Sequence, residues 1–87
     1  MDTLNLLKQS FSQILCAKRE ELNYSQEEMA EKCCISTRQY LNLEHGLNLP
    51  TFQTLVNISI VFEVNFDIFL SLIIEQGYNV MDKSGFA

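Results

Sequence analysis

Residues 26–45, QEEMAEKCCISTRQYLNLEH, restrict the possible folds more than any other stretch. Two helix-start signals stand eleven positions apart, Ser25 with Glu28 and Ser36 with Gln39. Each is a capping box: the serine hydroxyl accepts from the amide three residues on, and that residue's side chain reaches back to the serine amide. So close a repeat leaves space for only about two helical turns between the signals. The pattern therefore predicts a helix over 26–33, a turn at Cys34 and Ile35 and a second helix over 37–45. Gly46 supplies the left-handed residue that closes it. Met29 and Cys33 share one helix face, as do Tyr40 and Leu43. Ala30 is small where two helices must cross, and Ile35 is expected to point inward. This layout buries one side of each helix and leaves a polar outer face on the second. Such a helix can enter a DNA major groove.

The neighbouring segments read as three more helices. Over 4–22, Leu4, Leu7, Phe11, Ile14 or Leu15, Lys18 and Leu22 form an apolar stripe at helical period. Thr3 is a candidate cap, and Asn23 a left-handed terminator. Pro50 and Thr51 open a helix over 52–62, with Leu55, Ile58 or Ser59, and Phe62 facing inward. The β-branched Val56, Ile58, Ile60 and Val61 also permit a strand. Helix is preferred because Thr51 and Asn65 bracket one helix length. Asn65 then caps a helix over 66–74. The expected unit is one all-α, five-helix domain over 1–76, with a loose or short extension at 77–87.

Eighty-seven residues with 47% hydrophobic content are enough for one small core, without a separate effector domain. Nothing near Asp2 resembles a signal peptide. The most apolar stretch, 55–74, is interrupted by Asn57, Glu63, Asn65 and Asp67, which argues against a membrane span. A cytoplasmic location is expected. Cys16, Cys33 and Cys34 are odd in number, and two are adjacent, so they build no disulfide framework. They read as reduced thiols serving as small apolar residues, with redox sensing by the adjacent pair as the alternative. Metal-ligand spacing is absent and His45 has no partner. It reads as a cap or a phosphate neighbour. No nucleophile–base pair, paired carboxylates or glycine-rich phosphate loop is present, so neither an enzyme nor a cofactor is expected.

The window 26–45 resembles the helix-turn-helix of the phage-repressor-like (Cro-type, XRE) family. Ala30, the small turn residue Cys34, and Met29, Cys33, Ile35, Tyr40 and Leu43 fall where that pattern has its small and apolar residues. The likeness continues outward through Pro50 and Thr51 to VNFDIFL, covering about 4–72. It implies a compact lambda-repressor-like domain, with the helix-turn-helix in helices 2 and 3. It also implies that Arg19 and Glu44 form an internal ion pair locking helix 1 to helix 3. Two departures stand out. The family usually has Gly in the turn, so a left-handed Cys34 would cost roughly 1 kcal/mol. The 47–49 loop, often basic in relatives, carries no cation here.

The expected DNA-binding residues follow from these positions. Gln26, in the first turn of helix 2, is placed to hold a phosphate. Thr37 and Arg38 face base edges, Arg38 suited to guanine, and Asn42, one turn on, suits adenine. Ser36 and Gln39 either cap the helix or add contacts. Leu41 should face outward, toward a thymine methyl or a protein. Tyr40 should be core, with its hydroxyl at the rim. Residues 60–74 are too apolar for one helix face, and exposed apolar patches mark partners. Phe66, Phe69, Leu70 and Ile73 are the expected dimer face. Family members commonly dimerise there.

The reading is a homodimer that binds double-stranded DNA at a roughly palindromic site and regulates transcription. A net charge of −5, with six cations at Lys8, Lys18, Arg19, Lys32, Arg38 and Lys83, is unusual for that role. It keeps a second reading open: a protein-interaction module on the same scaffold, using its apolar C-terminal third.

Overall fold

The computed structural model describes residues 3–75. Among them are five α-helices: α1 (Thr3–Glu21), α2 (Gln26–Lys32), α3 (Thr37–Glu44), α4 (Phe52–Phe62) and α5 (Phe66–Glu75). No strand occurs among the described residues, so the β-branched run 56–61 is helical. The expected extension at 77–87 lies outside the described residues, as does the side chain of Phe66.

The helix starts follow the expected chemistry. Ser25 Oγ accepts from the Glu28 amide at 3.0 Å, and Glu28 Oε1 accepts from the Ser25 amide at 2.7 Å. Ser36 and Gln39 repeat this at 3.0 and 2.9 Å. Thr51 Oγ1 accepts from the Thr54 amide at 3.1 Å, and Asn65 Oδ1 from the Ile68 amide at 3.2 Å. Thr3, expected as a cap, is instead the first described residue of α1.

Four helix ends share one device. Asn23, Cys34, Gly46 and Glu63 adopt left-handed backbones, with φ of 61°, 62°, 72° and 56°. In each case the next residue's amide bonds five residues back: Tyr24 to Arg19, Ile35 to Ala30, Leu47 to Asn42 and Val64 to Ser59. The left-handed residue itself bonds three back. These are Schellman closures, and they satisfy carbonyls that the helix end would otherwise orphan. Each is followed by an apolar residue, and Tyr24, Ile35 and Val64 pack against the core. Glu63 was not foreseen as left-handed. Cys34 keeps the family's left-handed turn despite its Cβ.

The core joins all five helices. Phe11, Ile14 and Leu15 of α1 meet Met29, Ala30 and Cys33 from the α2 region, Tyr40 and Leu43 of α3, Ile58 and Phe62 of α4 and Phe69 of α5. Both members of each uncertain pair, Ile14 with Leu15 and Ile58 with Ser59, are buried. The ends of the α1 stripe are not: Leu4 is 52% exposed and Leu22 40%. α1 is central, packing against both α3 and α5. Asn57 Nδ2 donates to the Cys33 carbonyl at 3.1 Å, tying α4 to the turn between α2 and α3.

Phe69 corrects the expected dimer face. It is 3% exposed, and its ring lies 6.0 Å from that of Phe11 and 6.4 Å from that of Phe62. Its helical phase points it at α1, so it fills the core of one chain. Leu70, the next residue, is 57% exposed, and Ile73 is half-buried.

Candidate nucleic-acid interface

The outer face of α3 is set by what locks its inner face. Tyr40 is fully buried and Leu43 nearly so, which turns Thr37, Arg38 and Gln39 to solvent. Asn42 and Leu41 are half-buried. Leu41 is thus less outward than expected. Arg38 has no intramolecular partner among the described residues and is exposed, so its guanidinium is available to a ligand. Its fork of N–H donors matches the edge of guanine or a phosphate.

Glu44, at the end of α3, holds the unit together. Its carboxylate accepts from Arg19 Nε at 2.5 Å and Arg19 Nη2 at 3.3 Å, from Gln26 Nε2 at 2.9 Å and from the Tyr40 hydroxyl at 2.5 Å. The Glu44 side chain is 3% exposed and that of Arg19 13%. Arg19 Nη1 also donates to the Tyr24 carbonyl at 2.9 Å. One carboxylate thus ties α1, α2 and α3 together through four donor contacts. Burial alone would raise the Glu44 carboxyl, but the hydrogen bonds from Arg19, Tyr40 and Gln26 outweigh it and hold the group below its ordinary range. The hydrogen bond that Arg19 donates to Glu44 raises the guanidinium above its ordinary value. Burial, reinforced by Glu44, raises the Tyr40 hydroxyl.

The hub changes two expectations. Gln26 does not stand free at the head of α2: its amide nitrogen is engaged by Glu44. No local pattern signals this contact, because Gln26 and Glu44 lie eighteen residues apart. The Tyr40 hydroxyl is not at a rim but inside the hub. The pairing of Arg19 with Glu44 stands as the resemblance implied. Ser36 Oγ and Gln39 Oε1 are committed to the capping box, which leaves the Gln39 NH₂ group facing out. His45 is the residue at the end of α3 and is exposed.

The α2 side of α3 is acidic. Glu27, Glu28 and Glu31 line a shallow cleft with Ser36 and Thr37. Cys33 is buried, with its thiol pushed up to about 11 by burial and by the neighbouring Cys34, whereas Cys34 is exposed. Cys34 therefore departs from the expected role of a small apolar filler. Among the described residues no cluster of His, Cys, Asp or Glu is arranged to hold a metal ion, and no single helix is long and apolar enough to cross a membrane.

Comparison with known proteins agrees with this geometry. A helix-turn-helix family model matches residues 17–69, which is more than half of the chain and spans α2, α3, α4 and the Arg19 and Glu44 positions. No curated protein and no solved structure gives a significant match. The matched segment ends at Phe69, so it includes the whole two-helix unit with its supporting hub. By this match the chain belongs to the XRE kind of helix-turn-helix family, a family of DNA-binding transcription regulators.

Proposed function

We propose that this chain binds double-stranded DNA as a homodimer and regulates transcription in the manner of the phage-repressor-like regulators. The observation that carries the reading is the split character of α3. Its inner face is clamped by the Tyr40, Leu43 and Glu44 contacts, while Thr37, Arg38 and Gln39 stand exposed at its start. The N-terminal residues of a recognition helix are those that reach base edges. Arg38 reads guanine, Asn42 reads adenine, and Thr37 makes a shorter contact with a base or phosphate.

Support for the dimer comes from an apolar face formed by α1, α4 and α5. Phe52 is 72% exposed, Leu70 57% and Ile74 62%. Leu7, Leu49, Leu55 and Ile73 line an almost wholly apolar cleft of about 320 Å³ beside them. A second copy covering this face would bury it and set two α3 helices about one helical turn of DNA apart, matching a roughly palindromic operator. The protein acts in the cytoplasm, by occupying a promoter or by touching polymerase.

The same apolar face favours the second reading, a protein-interaction module with little DNA affinity. Titration with random-sequence duplex separates the two. A DNA binder weakens linearly in log Kd against log salt, whereas absence of binding at low salt supports the interaction module. In selection from a random pool, the parent enriches paired half-sites, and Arg38→Ala relaxes the preference at one position of each. Equal selectivity in parent and variant would overturn the assignment of the reading face.

A further inference from the structure

The two sides of α3 differ in charge, and this difference indicates where the DNA backbone runs. On the α2 side lies the cleft lined by Glu27, Glu28 and Glu31. On the α4 side lies a second cleft of about 320 Å³, part polar and part apolar, where Lys8, Gln39, Asn48 and Thr54 share the lining with Leu43 and Leu49. No acidic residue lines it.

Three of the five cations among the described residues already lie beside another group. Arg19 is consumed by the Glu44 hub. Lys18 sits 3.5 Å from Glu21, and Lys32 lies 4.9 Å above the Tyr24 ring. Among the described residues, Lys8 and Arg38 are the cations without such a partner. Arg38 stands at the start of the recognition helix. Lys8 comes from α1, and the fold brings it to the 47–49 loop, which has no cation of its own. The backbone of Gly46 lies against α1 here: a Cβ built on it would sit at ordinary van der Waals distance, 3.8 Å, from the Lys8 carbonyl.

We propose that Lys8 takes a DNA backbone phosphate at the α4-side cleft, with the side-chain amides of Gln39 and Asn48 as neutral donors beside it. The backbone then passes between α3 and the 47–49 loop, and the three glutamates repel it from the α2 side. Gln26, already bound to Glu44, is not the main anchor. The ligand is a phosphodiester of the duplex, read without regard to base. This inference rests on the DNA-binding reading above and extends it to a residue outside the helix-turn-helix.

The test is fluorescence anisotropy of the full chain on random-sequence duplex across a salt series. Lys8→Gln is expected to reduce the slope of log Kd against log salt by about 0.9, the value for one phosphate contact. It should weaken every sequence by the same factor. Lys8→Arg should keep the parent slope, and Lys18→Gln should leave it unchanged. Asn48→Lys, which adds a cation to the rim of the same cleft and needs no change at Lys8, should steepen the slope by about 0.9. A parent-like slope in a folded Lys8→Gln protein, or in Asn48→Lys, overturns the proposal while leaving DNA binding intact. A parent that binds no duplex at low salt overturns both.

Discussion

Replacing Glu44 with alanine should cost this domain much of its stability, because the carboxylate balances a buried charge. Arg19 donates twice to it and is 13% exposed in its side chain. Removing one partner of a buried pair costs about 3–5 kcal/mol, since the remaining charge is left without a counter-charge. The Tyr40 hydroxyl and the Gln26 amide also lose their acceptor. Each buried orphan costs about 1–3 kcal/mol, but such losses do not add within one network. A total near 4 kcal/mol is therefore expected. For a domain of this size, where each kcal/mol moves Tm by about 4–8 °C, that is a fall of roughly 16–32 °C. Thermal unfolding followed by circular dichroism measures it. Arg19→Met combined with Glu44→Leu should recover only the part of the loss due to the unpaired charge, because an apolar pair replaces the buried ion pair while the Tyr40 hydroxyl still lacks its acceptor. The acid limb gives an independent check. Glu44 is held below its ordinary value of 4.5, so its contribution is present above that value and is lost as pH falls through the folded-state pKa. The parent should therefore lose stability in acid more steeply than Glu44→Gln. A Glu44→Ala protein within about 1 kcal/mol of the parent would refute the hub as the element that fixes α3.

Two further outcomes follow from the backbone and the core. Cys34→Gly should raise stability by roughly 0.5–1 kcal/mol, since the left-handed conformation at φ 62° costs a residue with a Cβ about 1–2 kcal/mol and Gly gives back part of that in chain entropy. A lower Tm than the parent would show that the turn relies on the cysteine side chain. Phe69→Ala should cost about 3–5 kcal/mol in thermal unfolding. Leu70→Ser should leave Tm at high dilution nearly unchanged while weakening self-association in sedimentation. Equal effects of these two substitutions on Tm would contradict the placement of Phe69 inside and Leu70 outside.

What could be read from the sequence was local. Capping boxes involve residues three apart, and Ser25, Ser36, Thr51 and Asn65 all act as the sequence predicts. Helical period identified Phe11, Tyr40 and Leu43 as core. The left-handed end at Glu63 escaped because Glu has no intrinsic preference for that conformation. The available signal was Val64, an apolar residue placed between a helix and the next cap, the same arrangement as at Tyr24 and Ile35. The misplacement of Phe69 has a different cause. Residues 66–75 carry apolar side chains around most of the helix, so period alone does not say which side meets α1. The bond from Gln26 to Glu44 is a tertiary contact across eighteen residues, and no local pattern encodes it. The same holds for Lys8, whose place beside the 47–49 loop depends on how α1 packs against α3.

The proposed DNA-binding surface is the start of α3. Backbone amide chemical shifts of the labelled chain, recorded while duplex is added at low salt, test it most directly. Binding through α3 should give the largest changes at Thr37, Arg38 and Asn42, with smaller ones at Lys8 and Asn48 and none at Leu70 or Ile73. Changes centred on Phe52, Leu70 and Ile73 with α3 unmoved, or none anywhere, would contradict it.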